Sequence, residues 1–239
     1  MNLTELRNTA LKGWEKIIKP DKILIFIGMA TCGKSAGAKE IMDGIKKALS
    51  DKKVNFEIIS VGCIGFCYQE PLVDVVKPAR PRVCFGNVKP KDIQKIVDYI
   101  LYEKISKELV IGKIGEGQLA GIPDLDQTPF MKFQVRRILK RCGFINPENI
   151  YHYIANDGYS GLEKALNMPP EEIIEEVKMS GLRGRGGAGF PTGIKWRACR
   201  DQAGQPKYLI CNSDEGDPGA FMNRALLESD PHSVLEGMI

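Results

Sequence analysis

Lys22–Gly28 (KILIFIG) is an apolar run of strand length that ends in glycine and opens directly onto a glycine-bearing loop, and this junction constrains the fold most tightly. Behind the loop, within Ala36–Leu49, Ile41, Ile45 and Leu49 recur four apart, the period of a helix with one buried face. Val54–Val61 (VNFEIISV), Leu72–Val76 (LVDVV) and Arg82–Phe85 (RVCF) then read as three further strands. Pro90 stands in the first turn of a helix running to about Tyr102, a position that tolerates its missing N–H. Ahead of the first strand, Leu3, Leu6, Leu11, Trp14, Ile17 and Ile18 give an amphipathic helix within Met1–Lys19. The order predicts an α/β unit over residues 1–102.

Residues 103–128 carry weak periodicity and Gly-rich patches (GKIGEGQLAG), which predicts a linker. From Pro129 the pattern turns helical, over Phe130–Cys142, Pro147–Asn156, Tyr159–Leu166 and Pro169–Ser180. The last of these has acids in its first turn, where the helix dipole favours them. A glycine tract, a helix around Trp196 and a strand at Tyr208–Cys211 follow, so residues 129–239 read as a second α/β unit. The chain stops inside an apolar pattern at Glu236–Ile239 without cap or breaker, and the expectation is that this unit is the N-terminal part of a larger domain.

Hydrophobic residues make up 43% and charged residues 27%, a balance that excludes disorder. No apolar run approaches the roughly 18 residues of a membrane span, and the N-terminus has no signal-peptide apolar block. A cytoplasmic protein is expected. The net charge of +4 is small and evenly spread, so it gives no nucleic-acid footprint. Seven cysteines without an export signal point to reduced thiols, metal ligands or packing rather than a disulfide framework.

Gly28-Met29-Ala30-Thr31-Cys32-Gly33-Lys34-Ser35 fits the G-x4-G-K-S phosphate loop, with a strand before it and a helix after. A nucleotide-binding protein is therefore one alternative. Against it, no later strand ends in an aspartate to help hold Mg²⁺, and the α/β unit is short. The competing reading joins Cys32 to Cys63-x3-Cys67, because two thiol-bearing loops at one end of a small sheet can converge on one metal centre. This arrangement resembles the thioredoxin-like 2Fe-2S ferredoxin fold, which takes two cysteines from the first loop and a C-x3-C pair from the later one. Here the first loop offers Cys32 alone, and the partner position falls near Ile27. Cys84 becomes a fourth ligand only if its strand approaches the loops. Without a cluster, the unit reads as a docking module.

The stretch Gly181–Trp196 (GLRGRGGAGFPTGIKW) is the most informative for function. Gly184–Gly189 fits G-x-G-x-x-G, yet the preceding segment is an acidic helix and not the strand a dinucleotide fingerprint requires. What remains is six glycines between Gly181 and Gly193, with Arg183, Arg185 and Lys195. Close-approaching backbone amides, a helix start and cations together suit a flat phosphate-bearing ligand. Residues Lys178–Lys207 hold seven bases and one acid; Ser213–Asp230 hold five acids and one base.

The tract SGLRGRGGAGFPTGIKW, the run Tyr208–Pro218 (YLICNSDEGDP) and the run Gly219–Ile239 resemble the flavin- and NADH-binding subunit family of complex I and of NAD-linked hydrogenases and formate dehydrogenases. Pro129–Gln134 and the Tyr151–Leu166 region extend the resemblance, and the N-terminal unit resembles hydrogenase-type subunits. The resemblance implies FMN accepting hydride from NADH and passing single electrons to iron–sulfur clusters. It implies that Gly184, Arg185, Gly186, Gly187 and Lys195 cradle FMN, and that Asn212, Asp214 and Glu215 form a flavin-contacting turn. Phe190 would stack near the nicotinamide or adenine, and Asp217 takes the place of an acid that contacts NADH. Two departures stand out: Asp217 is one methylene shorter than the glutamate usual in complex I, and Ser213–Gly216 is a hydrogenase-like variant of the turn. The chain has no C-x2-C, so the family's 4Fe-4S cluster is expected beyond Ile239. The implied partners are a ferredoxin-like 2Fe-2S subunit and an iron–sulfur, hydrogenase or formate dehydrogenase subunit. No catalytic residue is assigned, since hydride transfer belongs to the two cofactors. Cys142, Trp196, Cys199 and Cys211 are read as packing residues and His232 as structural.

Overall fold

The computed structural model describes residues 3–239, so the first two residues of the Met1–Lys19 stretch lie outside the described ones. The chain divides into two units, residues 1–156 with 213–234, and residues 157–212 with 235–239.

In the first unit, α1 (Leu3–Ile18) precedes β1 (Ile23–Gly28). The expected single helix after β1 is two, a short α2 (Thr31–Ser35) and α3 (Ala38–Asp51). They part at Gly37, whose φ of 97° lies in the left-handed region that glycine enters freely. β2 (Phe56–Val61), β3 (Val73–Val76), β4 (Arg82–Phe85) and α4 (Ile93–Tyr102) follow as the sequence predicts. β5 (Val110–Ile114) lies inside the segment expected to be linker. It pairs with β4 from Arg82↔Ile114 to Phe85↔Val110. The sheet order is β2-β1-β3-β4-β5, with β1 and β2 parallel and the other neighbours antiparallel. This βαβ followed by a β-hairpin and helix is the α/β arrangement expected of a thioredoxin-like unit.

Alternation along β1 explains both faces. Ile25 and Ile27 point into a core with Ile41, Ile45 and Leu49 of α3, Val83 and Phe85 of β4, and Ile96 and Ile100 of α4. Leu24 and Phe26 point the other way, with Ile59, Val61 and Ile17 of α1. Trp14 of α1 meets His152 of α5 (Ile150–Ala155) edge-on, with ring centres 5.1 Å apart.

Phe130–Cys142 is not the expected helix but a series of turns. Met131 and Cys142 are buried, but Phe133, Val135 and Ile138 between them are 81%, 80% and 63% exposed, so the apolar residues do not form one buried helical face. The Arg136 guanidinium instead donates to the carbonyls of Leu139 and Cys142, both at 2.7 Å. Arg82 on β4 is buried against Asp74 on β3 and also donates to the Gly143 carbonyl at 2.8 Å. Among the described residues no helix is long and apolar enough to cross a membrane.

The second unit holds α6 (Ser160–Leu166), α7 (Pro170–Met179) and α8 (Thr192–Arg200). α7 and α8 cross at Gly193, where an added Cβ would stand 2.6 Å from the Lys178 backbone. The strand expected at Tyr208–Cys211 is not formed: these residues have no regular secondary structure, and Tyr208, Leu209 and Ile210 are exposed. α9 (Met222–Ser229) belongs to the first unit, while α10 (Pro231–Met238) contributes to both. Within the second unit the Glu236 carboxylate accepts the N–H groups of Tyr159 (2.7 Å) and Leu162 (3.1 Å) at the start of α6.

Candidate functional site

The glycine tract closes on itself in the second unit. Gly184 N–H donates to the Phe190 carbonyl at 2.8 Å and Thr192 N–H to the Leu182 carbonyl at 2.9 Å, while the Arg183 guanidinium reaches the Gly189 carbonyl at 3.0 Å. The loop is solvent-facing, and a Cβ added at Gly186, Gly187 or Gly189 would meet nothing. Gly187 has φ 104°, a conformation that costs an L side chain strain whatever the space. The loop runs straight into α8, whose first turn carries Lys195. Arg197 and Arg200 are tied to Glu175 and Glu171 of α7. Arg185 and Lys195 engage no acid among the described residues. The two cations left uncommitted are those beside an open backbone loop and a helix start, a donor set that fits a phosphate-bearing cofactor. Phe190 is about half exposed at the loop's end.

Asn212 lies in the second unit, whereas Asp214, Glu215 and Asp217 lie in the first. Glu215 is not free to turn towards a ligand. Its carboxylate accepts the N–H groups of Asn223 (2.6 Å) and Arg224 (3.2 Å), so it caps the start of α9.

The thiols converge at the other end of α9's reach. Cys63 and Cys67 sulfurs are 3.7 Å apart, close to the about 3.8 Å that two thiolates adopt on one tetrahedral metal with 2.3 Å bonds. Cys32 interacts with Cys67, and burial pushes all three thiols above their ordinary pKa. Among the described residues no group of three or more His, Cys, Asp or Glu side chains is drawn together as a formed metal site. Cys84 is not part of the cluster. It lies mid-strand beside Phe66, Leu72, Leu125 and Met131, hydrogen-bonds Asp74 across the sheet, and burial holds its thiol well above the ordinary range. Ile27 is fully buried in the main core, so that position offers nothing to the loops.

Sequence reasoning missed Glu70. Its residue is 7% exposed, and burial raises its carboxyl to about 7. Oε2 accepts the Leu72 N–H at 2.8 Å, while Oε1 is buried without a partner. The signal was an acid three residues beyond Cys67 and directly before a proline.

Residues 177–239 match the family profile described as the Nuo51 FMN-binding domain. The chain is 59% identical over 111 residues to NADP-reducing hydrogenase subunit HndC of Solidesulfovibrio fructosivorans, covering 46% of this chain and 22% of that one. It is 53% identical over 102 residues to an NADH-quinone oxidoreductase chain of Aquifex aeolicus, covering 43% and 24%. It is 34% identical over 202 residues to NAD-reducing hydrogenase HoxS subunit alpha of Cupriavidus necator, covering 84% and 31%. A thioredoxin-like 2Fe-2S ferredoxin from Aquifex aeolicus superposes with 21% identity and a TM-score of 0.35, over 42% of this chain and 97% of that one. The matched stretches thus span under a third of the length of these curated relatives. The resemblance read from the sequence is supported, with residues 177–239 matching the FMN-binding domain profile.

Proposed function

We propose that this chain is the flavin-side portion of an NADH-oxidising subunit in a multisubunit, cytoplasmic redox complex. The observation that carries the reading is the open loop Gly184–Gly189 with Arg185 and Lys195 uncommitted, inside the segment that matches an FMN-binding family. FMN supplies the two-electron to one-electron conversion between NADH and iron–sulfur clusters.

The chain's own residues bind and orient. Amides of Gly184, Gly186 and Gly187 approach the flavin phosphate, Arg185 and Lys195 neutralise it, and the α8 start adds its dipole. Phe190 offers an aromatic face to the nicotinamide or adenine. Asn212 and Asp214 contact the flavin, and Asp217 contacts NADH. Glu215 acts by fixing the start of α9 beside that turn. Residues 1–102, with β5 (Val110–Ile114) completing their sheet, form a ferredoxin-like domain whose Cys32, Cys63 and Cys67 hold a 2Fe-2S cluster, and the flavin domain lies in residues 129–239. The partners are a ferredoxin-like 2Fe-2S subunit and an iron–sulfur subunit of hydrogenase or formate dehydrogenase type. Neither nucleic acid nor a membrane span enters the reading.

The test is flavin fluorescence quenching and NADH-dependent dye reduction by the assembled complex. Replacing both Arg185 and Lys195 by alanine is expected to weaken FMN binding at least about tenfold, two charge-assisted contacts each contributing about 1.5–3 kcal/mol. Unaltered FMN affinity in that double variant would refute the cradle.

A further inference from the structure

We propose that the turns of residues 130–140, together with Tyr68, are the docking surface for an acidic protein subunit that presents an apolar ridge flanked by carboxylates. The proposal rests on the reading of this chain as one subunit of a multisubunit redox complex, and it names the face on which a partner sits.

Four observations carry it. First, the segment is cationic without relief, since residues 127–147 hold five bases and no acid. Arg136 is committed to the Leu139 and Cys142 carbonyls and Arg141 to Asp230. Lys132, Arg137 and Lys140 are exposed and meet no acid among the described residues. Second, Phe133, Val135 and Ile138 stand among these cations with most of their surface in solvent, and Lys132 Nζ lies 4.8 Å over the Phe133 ring. Single exposed apolar residues need no explanation, but three within six positions, rimmed by bases, mark an interaction surface. Third, the segment is held in this shape from below. The N–H groups of Met131 and Lys132 both donate to the Thr128 carbonyl at 3.0 Å, that of Gln134 donates to the Met131 carbonyl at 2.8 Å, and Met131 and Cys142 are buried. A surface already fixed in form loses less freedom when a partner binds. Fourth, a cavity of about 280 Å³ opens beside the segment, lined by Leu125, Met131, Gln134, Arg136 and Phe144 among others. An apolar partner side chain fills it, as a buried anchor does in a protein interface. Arg136 Nε is buried without an acceptor, a donor that a carboxylate or carbonyl beside that anchor satisfies.

Charge selects the occupant. Three uncommitted cations steer an acidic surface into place, and a second copy of this chain would set the same cations against them. A lipid surface is flat, whereas the cavity calls for a protruding side chain. The location also suits a redox partner. The Phe130 ring packs on Phe66 and Tyr68, with ring centres 4.6 Å and 5.6 Å apart. Tyr68 is more than half exposed and directly follows Cys67. A subunit seated on residues 130–140 and Tyr68 therefore adjoins the loop that carries Cys63 and Cys67.

The experiment is carbodiimide coupling of the assembled wild-type complex, with the coupled peptides read by mass spectrometry. The reagent joins an amine to a carboxylate only where the two already touch, and it needs no variant. Lys132 and Lys140 are expected to couple to Asp or Glu of another subunit. Combining Lys132→Glu, Arg137→Glu and Lys140→Glu should weaken retention of that subunit at least about tenfold at about 0.05 M salt, the difference from wild type narrowing at about 0.5 M. Phe133→Ser should weaken it at both. These side chains are exposed, so wild-type melting temperatures are expected and separate lost docking from lost folding. No coupling to another subunit, coupling only within this chain or to a second copy of it, or unchanged retention in the triple variant would each overturn the proposal. Binding of phosphatidylserine vesicles by the wild type and not by the triple variant would give the face to a membrane instead. NADH-dependent dye reduction is followed on the same samples. A wild type that couples to another subunit yet reduces no dye refutes the NADH-oxidising reading and leaves the docking surface standing.

Discussion

The Ser229 hydroxyl accepts the backbone N–H of Cys63 at 3.0 Å, across 166 positions of sequence. Its neighbour Glu228 accepts the N–H and hydroxyl of Thr31, the residue before Cys32. Glu215 caps the other end of the same helix. One eight-residue helix, α9, therefore joins the acidic turn at Asp214–Asp217 with both thiol-bearing loops. The contact is close enough that Gly62 has no room for a side chain: an added Cβ would stand 2.1 Å from Ser229 Oγ. Ser229→Ala leaves the buried Cys63 N–H unpaired and is expected to cost about 1–3 kcal/mol. Gly62→Ala is expected to cost more, because the helix itself must withdraw. Urea unfolding of the full chain checks both, and wild-type midpoints in the two variants would contradict the strap.

Arg82 and Asp74 form the buried ion pair at the centre of the sheet, 2.6 Å apart, with the guanidinium 3.9 Å over the Phe26 ring. Arg82→Ala leaves an uncompensated carboxylate and is expected to cost about 3–5 kcal/mol. Arg82→Lys keeps the charge but loses the second donor to the Gly143 carbonyl, so a smaller loss is expected. Arg82→Met combined with Asp74→Leu should cost less than the two single changes added together. A double-mutant cycle by chemical denaturation measures this, and strict additivity would mean the pair is not coupled.

The fold is legible in the sequence where period and composition agree. Arg82–Phe85 can be read to the residue because all four positions are buried. β5 cannot, since its VIGKI sequence carries a glycine and a lysine whose burial depends on pairing with β4 and Asp124. Phe130–Cys142 misleads in the opposite sense, its apolar residues having helical spacing although only its two ends, Met131 and Cys142, are buried while Phe133, Val135 and Ile138 stay exposed. At the site, the glycine loop and Cys63-x3-Cys67 are local patterns and open to direct reading. Glu228 and Ser229 are not, because their partners lie 197 and 166 residues away and only the folded chain brings them together.

His152 sets a pH dependence. Its Nδ1 accepts the Asn146 N–H at 3.1 Å, its ring packs on Trp14, and burial lowers its pKa below the ordinary 6.5 while Glu57 partly opposes this. The neutral ring is thus favoured by the fold and the unfolded chain takes up the proton first. The stability this group contributes is present above about pH 6.5 and lost as pH falls through the lower folded value. His152→Gln keeps an acceptor near Asn146 without titrating, so its melting temperature should fall less steeply over that window. Parallel curves for the two proteins would remove His152 from the acid response.

The Gly28–Ser35 loop meets a carboxylate at the amides where a nucleotide phosphate would rest. Thr31 N–H donates to Glu228 Oε2 at 2.9 Å, and the Thr31 hydroxyl binds the other oxygen. A phosphate arriving there faces a like charge held by two hydrogen bonds. The helix behind the loop is only five residues long, which limits the dipole that would offset that repulsion. Lys34→Ala is therefore expected to leave NADH-linked electron transfer unchanged. Magnesium ATP should not raise the melting temperature of the wild type, although a ligand at a hundred times its Kd adds about 2.7 kcal/mol. Glu228→Gln removes the opposing charge and tests the converse. A thermal shift with ATP in the wild type that Lys34→Ala abolishes would restore the phosphate loop, and Glu228 would then have to swing away for nucleotide to enter.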